Sequence, residues 1–254
     1  DAVRHDAITA TLVEEVVRTK GYEAIPETLP HGASDTPAEP PEARAVGRIR
    51  AALEAAGFAE AVNFSFVAER ELAPFEYHVA TGDGSGRALG IALKSPISAD
   101  LSVMRTSLVP SLLKNVAHNR RQRIEDVRLY EIASIYHPGL HPKDKPSSEA
   151  VEVAGVLVGR RSPVSWATGP DAAEFYDAKA VVAAVLEALG VEVRWAPNGD
   201  TWLHPRHSAR LLAGEDVVGV VGELHPRVAT AFELPRGVLA FRLSLDALLR
   251  AANL

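Results

Sequence analysis

The sequence predicts an α+β fold built on a mainly antiparallel sheet that is flanked by helices. Helical and strand-like patterns are mixed along the chain without the strict alternation of β-α-β units that indicates a parallel sheet. Residues 127–136 read as a strand with apolar side chains on both faces, which is typical of an interior strand in a covered sheet. Residues 208–212 and 217–221 read as the two arms of a hairpin around residues 214–216.

The composition limits the classes of protein to consider. The 254 residues are enough for one large domain or two small ones, and 47% hydrophobic residues can bury a core. The absence of cysteine excludes disulfides, zinc–thiolate sites and cysteine nucleophiles, and it suits a reducing, cytoplasmic location. The net charge of −6 argues against a generally basic nucleic-acid binder but permits a local basic patch.

Neither end of the sequence indicates export or membrane insertion. No apolar run approaches the length of a membrane span, and no signal peptide opens the chain. The chain begins at Asp1 without a methionine. We therefore expect a piece of a longer polypeptide.

The N-terminal part predicts a short amphipathic helix over residues 9–20, ended by Gly21. The inward face of this helix is predicted to comprise Leu12, Val13 and Val16. Residues 26–41 then hold five prolines, which predict an extended linker.

A second helix and a strand follow the linker. The helix is predicted over residues 42–56, ends at Gly57, and carries an apolar stripe of Val46, Ile49, Leu53 and Ala56. By itself this stripe is typical of a helix packed on its own sheet. The strand is predicted over residues 58–67, with one face formed by Val62, Phe64 and Phe66.

The central stretch, residues 94–138, predicts a loop, a helix, a basic turn and a strand. Thr106 or Ser107 can cap the helix, and Pro110 lies in its first turn, where the missing N–H costs nothing. The turn after the helix holds the densest basic cluster of the chain, which comprises Asn119, Arg120, Arg121 and Arg123. Such a turn either contacts the phosphate backbone of a nucleic acid or is simply solvated.

The C-terminal half predicts further strands and helices. A strand is predicted at 151–158, where Gly155 indicates either a bulge or a close backbone approach. The remaining elements are predicted as a helix at 176–189 stopped by Gly190, a strand at 191–195, the hairpin, and a strand at 238–245 with Ser244 capping a last helix. Residues 80–88 and 139–149 are predicted loops, and the glycines of the first lack the context of a phosphate-binding motif.

Few residue patterns indicate catalysis. The histidines at 204, 207 and 225 have no acidic third ligand nearby in sequence, so structural or surface roles are favoured over a metal site. The serines at 107, 165 and 208 lack the elbow motif of a nucleophile. Arg105 lies at a helix entry, where it either binds an anion or pairs with Glu131 or Asp100 inside the fold, and pairing is the favoured alternative.

Several motifs in register resemble the beta subunit of bacterial phenylalanyl-tRNA synthetase, and they span essentially the whole chain. They are GYEAIP at 21–26 after an acidic helix, SPIS at 95–98, MRTSL at 104–108, HNR at 118–120, YEIASIY at 130–136, FYD at 175–177, LHP at 203–205, SA at 208–209 and GELHP at 222–226. No single motif is decisive, but their shared order makes coincidence a poor explanation.

The resemblance implies a class II aminoacyl-tRNA synthetase-like core. It implies that residues 1–25 are the tail of a small helix-turn-helix-like module, that 26–41 are a linker, and that 42–254 are the core domain. It also equates residues 42–67 with the family's first motif, which contacts the alpha subunit. The residues implied for that contact are Val46, Ile49, Leu53, Phe64 and Phe66.

The resemblance further implies that this core has no catalytic residues. A class II site holds ATP phosphates with one Arg on the second motif's strand and another in a glycine-rich third motif. The strand at 127–136 has no Arg beside Glu131 in that arrangement, and the segment 238–245 carries Arg242 without the glycine pattern. We therefore expect a catalytic fold that lacks catalytic groups.

The function implied is that of a scaffold for the alpha subunit and tRNA in an alpha-two beta-two ligase, which attaches Phe to tRNA with ATP and Mg²⁺. No cofactor or metal is expected in the chain itself. The residues implied for tRNA or anion contact are Arg105, Arg120, Arg121 and Arg123. An isolated chain is expected to expose helix 42–56 and to self-associate. The alternatives are a stand-alone amino-acid:ATP ligase on the same fold and a tRNA-binding module.

Overall fold

The structure is a computed structural model that describes residues 2–28, 39–75, 79–80, 87–88, 90–138 and 147–252. The chain forms two compact units, Asp1–Ala38 and Glu39–Leu254. The predicted loops at 80–88 and 139–149 lie mostly outside the described residues, as does much of the predicted linker.

The first unit contains, over its described residues, helix α1 (Ala2–Lys20) and a 3-10 turn (Tyr22–Ala24). Gly21 ends the helix as predicted, with a φ of 89° that favours glycine. The predicted inward face is wrong, because more than half of each side chain is exposed in Leu12, Val13 and Val16. A helix buries a face only against a second packed element, and the described part of this unit offers none.

The second unit contains all the other elements. In chain order they are α2 (Pro41–Ala55), β1 (Ala59–Glu60), β2 (Phe66–Val67), α3 (Glu69–Leu72), β3 (Val79–Ala80), β4 (Arg87–Ala88), β5 (Ile91–Ala92), β6 (Val103–Met104), α4 (Val109–Arg121), β7 (Val127–Pro138), β8 (Ser147–Val158), α5 (Phe175–Leu189), β9 (Arg194–Pro197), β10 (Leu203–Ala213), β11 (Asp216–Leu224), α6 (Pro226–Ala231), β12 (Leu239–Ser244) and α7 (Leu245–Ala251). Short 3-10 turns occur at Ala73–Phe75 and Ala99–Leu101.

A seven-stranded sheet in the order β1-β7-β8-β12-β11-β10-β9 dominates this unit. Every neighbouring pair is antiparallel except β1 with β7, which confirms the predicted α+β fold with a mainly antiparallel sheet. Smaller sheets are formed by β2-β6-β5 and by the β3–β4 pair. The predicted hairpin is the β10–β11 pair.

Helices cover both faces of the large sheet, as the apolar pattern of β7 predicts. On one side, which we call the rear face, α2, α5 and α7 pack on residues such as Tyr130, Val153 and Phe241. On the other, the front face, α4 and α6 pack on residues such as Val156 and Val220. Burial of both faces is the main source of stability for such a layered fold.

Gly155 on β8 lies directly opposite Phe241 on β12. A Cβ atom added at Gly155 would stand 2.4 Å from the Phe241 ring. Neither predicted alternative holds, because the register through Gly155 is unbroken and the group that approaches it is a side chain. The glycine is needed because the aromatic ring occupies the space of any larger side chain.

The structure changes two local predictions. The predicted strand over 58–67 is wrong, because it is only β1 and β2 and the residues between them are irregular. Of the two predicted caps of α4, Ser107 does accept a backbone N–H of the first turn, that of Val109 at 3.3 Å, although Leu108 occupies the N-cap position. The same hydroxyl donates to Glu152 Oε1 at 2.8 Å, and this buried carboxylate also accepts the Leu108 N–H at 2.7 Å.

Candidate functional site

A buried polar cluster lies on the front face where three elements meet. It comprises Asn63 in the irregular 61–65 segment, Arg105 just before α4, Asn115 on α4 and Glu131 on β7. Arg105 and Glu131 are each only 2% exposed. A buried ion pair of this kind is stable only when further hydrogen bonds satisfy both partners.

Those further hydrogen bonds are present. Arg105 Nη1 donates to Glu131 Oε1 at 2.7 Å, and Arg105 Nε donates to the Ser134 carbonyl at 3.0 Å. The Asn63 amide donates to Glu131 Oε2 at 2.7 Å and its backbone N–H donates to Oε1 at 3.2 Å. Asn115 Nδ2 in turn donates to Asn63 Oδ1 at 3.0 Å. The cluster therefore ties the 61–65 segment to α4 and β7.

The outcome for Arg105 follows from this geometry. The favoured alternative, pairing with Glu131, is confirmed, while Asp100 pairs with Arg70 instead. The other alternative, an anion or tRNA contact, requires an accessible guanidinium. Arg105 does not provide one, so its place among the implied tRNA contacts is corrected.

The 61–65 segment presents apolar side chains to solvent. Its backbone is held at both ends, by the Ala61 N–H donating to the Tyr130 carbonyl at 2.7 Å and the Arg105 N–H donating to the Ser65 carbonyl at 3.0 Å. Between these anchors Val62 is 91% exposed and Phe64 is 74% exposed. Two neighbouring exposed apolar side chains on a fixed backbone are typical of a contact surface.

The residues implied for the alpha-subunit contact fall into two groups. Ile49 and Leu53 have no exposed surface and pack in the rear core, and Val46 is partly buried against the same core. The expectation that helix 42–56 is left exposed is therefore wrong, because α5 covers its stripe. Phe64 is exposed and Phe66 is partly exposed, so these two remain available to a partner.

The predicted basic turn is formed by the last turn of α4 and the residues just after it, and it lies at the surface. Arg120 is partly exposed and Arg121 and Arg123 are exposed, with Arg121 paired to Glu233 at 3.1 Å. Next to the turn, the Arg160 guanidinium and backbone N–H bind Asp126 and lower the pKa of that carboxyl. Contact of this turn with tRNA stays a prediction.

Arg128 is the arginine nearest the start of the second-motif strand, and it is engaged within the fold. Its guanidinium donates to the carbonyl of Ala56 at 3.1 Å, and also to the carbonyls of Arg160 and Arg161. These bonds fix the end of α2 and the turn after β8. An arginine held in this way serves local structure.

The histidines have individual roles. The rings of His204 and His207 stack with centroids 4.4 Å apart, and His207 Nδ1 lies 2.7 Å from Glu223 Oε2. His225 caps α6 by accepting the Arg227 N–H. Within the described ranges, no group of three or more His, Cys, Asp or Glu residues is placed to hold a metal ion.

Sequence reasoning missed Asn63 and Asn115, and it missed Glu152 on β8. A buried role for Glu152 could have been predicted, because a carboxylate inside the apolar run of 151–158 is rare unless it is buried with a partner. The roles of the two asparagines could not, because their hydrogen-bond partners are brought to them only by the tertiary structure.

Comparison with protein families decides the identity of this fold. The model of the phenylalanyl tRNA synthetase beta chain CLM domain matches residues 25–245. The chain belongs to this family. The resemblance drawn from the sequence motifs is thereby confirmed.

Two relatives show how this beta chain domain relates to longer proteins. The chain is 68% identical over 251 residues to the phenylalanine–tRNA ligase beta subunit of Anaeromyxobacter dehalogenans (strain 2CP-C), which covers 98% of this chain and 30% of that protein. It is 37% identical over 244 residues to the corresponding subunit of Syntrophotalea carbinolica (strain DSM 2380 / NBRC 103641 / GraBd1), covering 95% and 30%. The chain thus spans about a third of the length of the curated relatives that it matches.

Solved structures agree on the fold of the beta chain domain. A crystal structure of pyrrolysyl-tRNA synthetase from Desulfitobacterium hafniense matches with a TM-score of 0.61 and 15% identity, over 85% of this chain and 70% of that one. A second structure, of PylSc from the same organism, matches with a TM-score of 0.57. The fold is therefore class II aminoacyl-tRNA synthetase-like, as predicted. In the described part of the chain, no helix is long and apolar enough to cross a membrane.

Proposed function

We propose that this chain is the non-catalytic core of a phenylalanine–tRNA ligase beta subunit, which supports the alpha subunit and tRNA while Phe is attached to tRNA. In this proposal ATP and Mg²⁺ act in a cytoplasmic alpha-two beta-two complex and not on this chain. Residues 1–25 are the tail of a neighbouring helix-turn-helix-like module, 26–41 are a linker and 42–254 are the core. Membership of the family supports a role in attaching Phe to tRNA. The hydrogen bonds of the charged residues support a structural and not a catalytic part in that reaction.

The observation that carries the proposal is the internal use of the charges on the second-motif strand. Activation of an amino acid, in which its carboxylate attacks the α-phosphate of ATP and pyrophosphate leaves, needs fixed cations that face the ATP phosphates. Here Glu131 is fully bound by Arg105 and Asn63, and Arg128 donates to three backbone carbonyls. Side chains whose donors are already used inside the fold hold structure and do not take part in phosphate chemistry.

The exposed 61–65 segment supports the docking role. Val62 and Phe64 form an apolar surface whose backbone is fixed by the buried polar cluster, so little ordering entropy is lost when a partner covers it. The implied alpha-subunit contact thus reduces to this segment and Phe66. Ile49 and Leu53 contribute indirectly, because they hold α2 against the rear core.

The basic turn supports a role in tRNA binding. Arg120, Arg121 and Arg123 are clustered at the surface, and phosphate contacts by such residues are electrostatic and independent of sequence. Because the net charge of the chain is −6, any electrostatic contact with tRNA is confined to this basic cluster. We therefore place tRNA support second to docking of the alpha subunit.

Co-purification with the matching alpha subunit tests the proposal. Phe64→Asp is expected to abolish co-purification, because a charge would be buried against an apolar partner surface. The matched control is Trp166→Asp, which changes a fully exposed aromatic residue on a separate loop and is expected to retain binding. Equal binding by wild type and Phe64→Asp would contradict the assigned surface, and Phe-dependent ATP–pyrophosphate exchange by the chain alone would contradict the non-catalytic role.

A further inference from the structure

A cavity of about 420 Å³ opens on the front face, beside the part of the sheet that α4 and α6 cover. Its lining spans strands β7, β8, β12, β11 and β10. The polar residues that line it are His137, Glu152, Asp200, Arg210, Arg242 and Ser244. None of them belongs to the buried polar cluster or to the surface proposed for the alpha subunit.

Two arginines in this cavity lie in one row across the sheet. Arg210 on β10 is opposite Val220 on β11, and Val220 is opposite Arg242 on β12. Their Cα atoms are therefore two strand spacings apart, roughly 10 Å, and both side chains lie on the front face. Guanidinium groups at this spacing, on long side chains, can converge on one ligand.

Arg210 is the informative member of the pair. It is partly buried, yet its guanidinium has no hydrogen bond or ion pair to any residue that the structure describes. The Arg242 guanidinium is nearer to charge partners, at 3.9 Å from Glu152 Oε2 and 3.7 Å from Asp200 Oδ2. Arg242 is thus held by partners inside the fold, and Arg210 is the arginine of the pair whose donors are open to a ligand.

Three titratable neighbours of the arginines line the cavity, namely Glu152, His137 and Asp200. Burial raises the pKa of Glu152, which favours its uncharged form, although Arg242 opposes this shift. Burial, followed by the charge of Arg242, lowers the pKa of His137, so the imidazole is neutral near pH 7. Asp200 lies 3.7 Å from Arg242, so Arg210 is the cation of the lining that has no described charge partner.

We infer that this cavity binds a small anion with a carboxylate or phosphate group, which Arg210 and Arg242 hold, and with a short apolar body. An unpaired guanidinium that is partly removed from water is stabilised by such a partner, and its fork of donors fits either oxyanion. We infer the apolar part of the ligand from the cavity lining, because Ile135, Ala150 and Val220 supply apolar surface beyond the arginines. The inference is independent of the proposed alpha-subunit contact.

Calorimetric titration of the intact protein at constant ionic strength tests this site. The probes are acetate, butyrate, inorganic phosphate and butyl phosphate, which separate the two head groups and the effect of the body. We expect saturable binding of butyrate or butyl phosphate, tighter than that of acetate or inorganic phosphate by roughly fourfold for each added carbon of the chain. Comparison of the carboxylate probes with the phosphate probes identifies which of the two head groups the site prefers.

Substitutions connect the binding to Arg210. Arg210→Ala is expected to weaken binding roughly ten- to a hundredfold, as for loss of a hydrogen-bonded charge partner. Arg206→Ala, an exposed arginine on the same strand that does not line the cavity, is the matched control and is expected to bind like wild type. Arg210→Lys keeps the charge but loses the fork, and it is expected to bind about tenfold more weakly.

The inference is overturned if none of the four probes binds saturably to wild type. It is equally overturned if Arg210→Ala, or Arg210→Lys where the alanine variant does not fold, binds as tightly as wild type.

Discussion

The front face of the sheet carries two groups of charged residues that differ in how far their hydrogen bonds are satisfied. In the buried polar cluster, Arg105 and Glu131 are 2% exposed and bound to each other and to neighbours at 2.7–3.2 Å. In the cavity, the partly buried Arg210 has no hydrogen bond or ion pair to a described residue, while its neighbour Arg242 is paired with Glu152 and Asp200. The same residue types thus occur on one surface in closed and open arrangements.

This difference separates charges that serve folding from charges that are available for binding. A closed arrangement is rigid and cannot accept a ligand without losing buried hydrogen bonds. An open arrangement costs stability in the unbound protein and regains it when a ligand binds. Comparing substitutions in the two groups is therefore a direct test of the account.

The largest effect is expected in the buried polar cluster. Arg105→Met leaves the Glu131 carboxylate buried without its cation, so the free energy of unfolding should fall by about 3–5 kcal/mol. The double variant Arg105→Met/Glu131→Leu removes both charges and should recover most of that loss. Urea unfolding measures both, and a single variant within about 1 kcal/mol of wild type would show that the pair is not structural.

An intermediate and pH-dependent effect is expected at Glu152, which lines the cavity beside Arg242 and accepts the Ser107 hydroxyl. Because burial raises its pKa above the ordinary value of 4.5, the folded state holds the proton more tightly than the unfolded chain. Wild-type stability therefore falls as pH rises from 4.5 to the folded-state pKa. Glu152→Gln cannot ionise, so its stability relative to wild type should rise over that range.

The magnitude of the Glu152 effect is about 1.4 kcal/mol for each unit by which the pKa is raised. Urea unfolding of both proteins at a series of pH values measures it. A constant difference between the two proteins across the series would mean that Glu152 has the same pKa in the folded and unfolded states.

The smallest stability effect is expected in the cavity. Arg210→Ala removes a side chain without described hydrogen bonds, so the free energy of unfolding should change by no more than about 0.5 kcal/mol. Urea unfolding in the absence of added anions measures this change. If the free energy of unfolding fell by more than about 2 kcal/mol, Arg210 would be a structural charge like Arg105, and the proposed difference between the two groups would be contradicted.

The sequence predicted the fold well because periodicity and turn chemistry are local signals. The strand at 127–136, the hairpin and the αL stop at Gly190 are examples, and each is confirmed. The pairing of Arg105 with Glu131 was also predictable, since a charge on each of two apolar segments requires a partner.

The failures involve tertiary structure. The predicted strand over 58–67 was wrong because Asn63 binds Glu131, 68 residues away, in place of a neighbouring strand. The prediction that helix 42–56 is exposed was wrong, because no local sequence pattern reveals that α5 covers its apolar stripe. The cavity was not predicted because Arg210 and Arg242 meet only through the register of three strands.

The most direct test of the contrast is the proton–deuterium exchange of arginine Nε–H groups, followed by NMR of ¹⁵N-arginine-labelled protein with and without butyrate. The account predicts that the Arg105 Nε–H, which donates to the Ser134 carbonyl, exchanges slowly and does not shift with butyrate. It predicts that the Arg210 Nε–H exchanges quickly and shifts on binding. Equal exchange at both positions, or a shift of Arg105 in place of Arg210, would contradict the division of the front face into structural and binding charges.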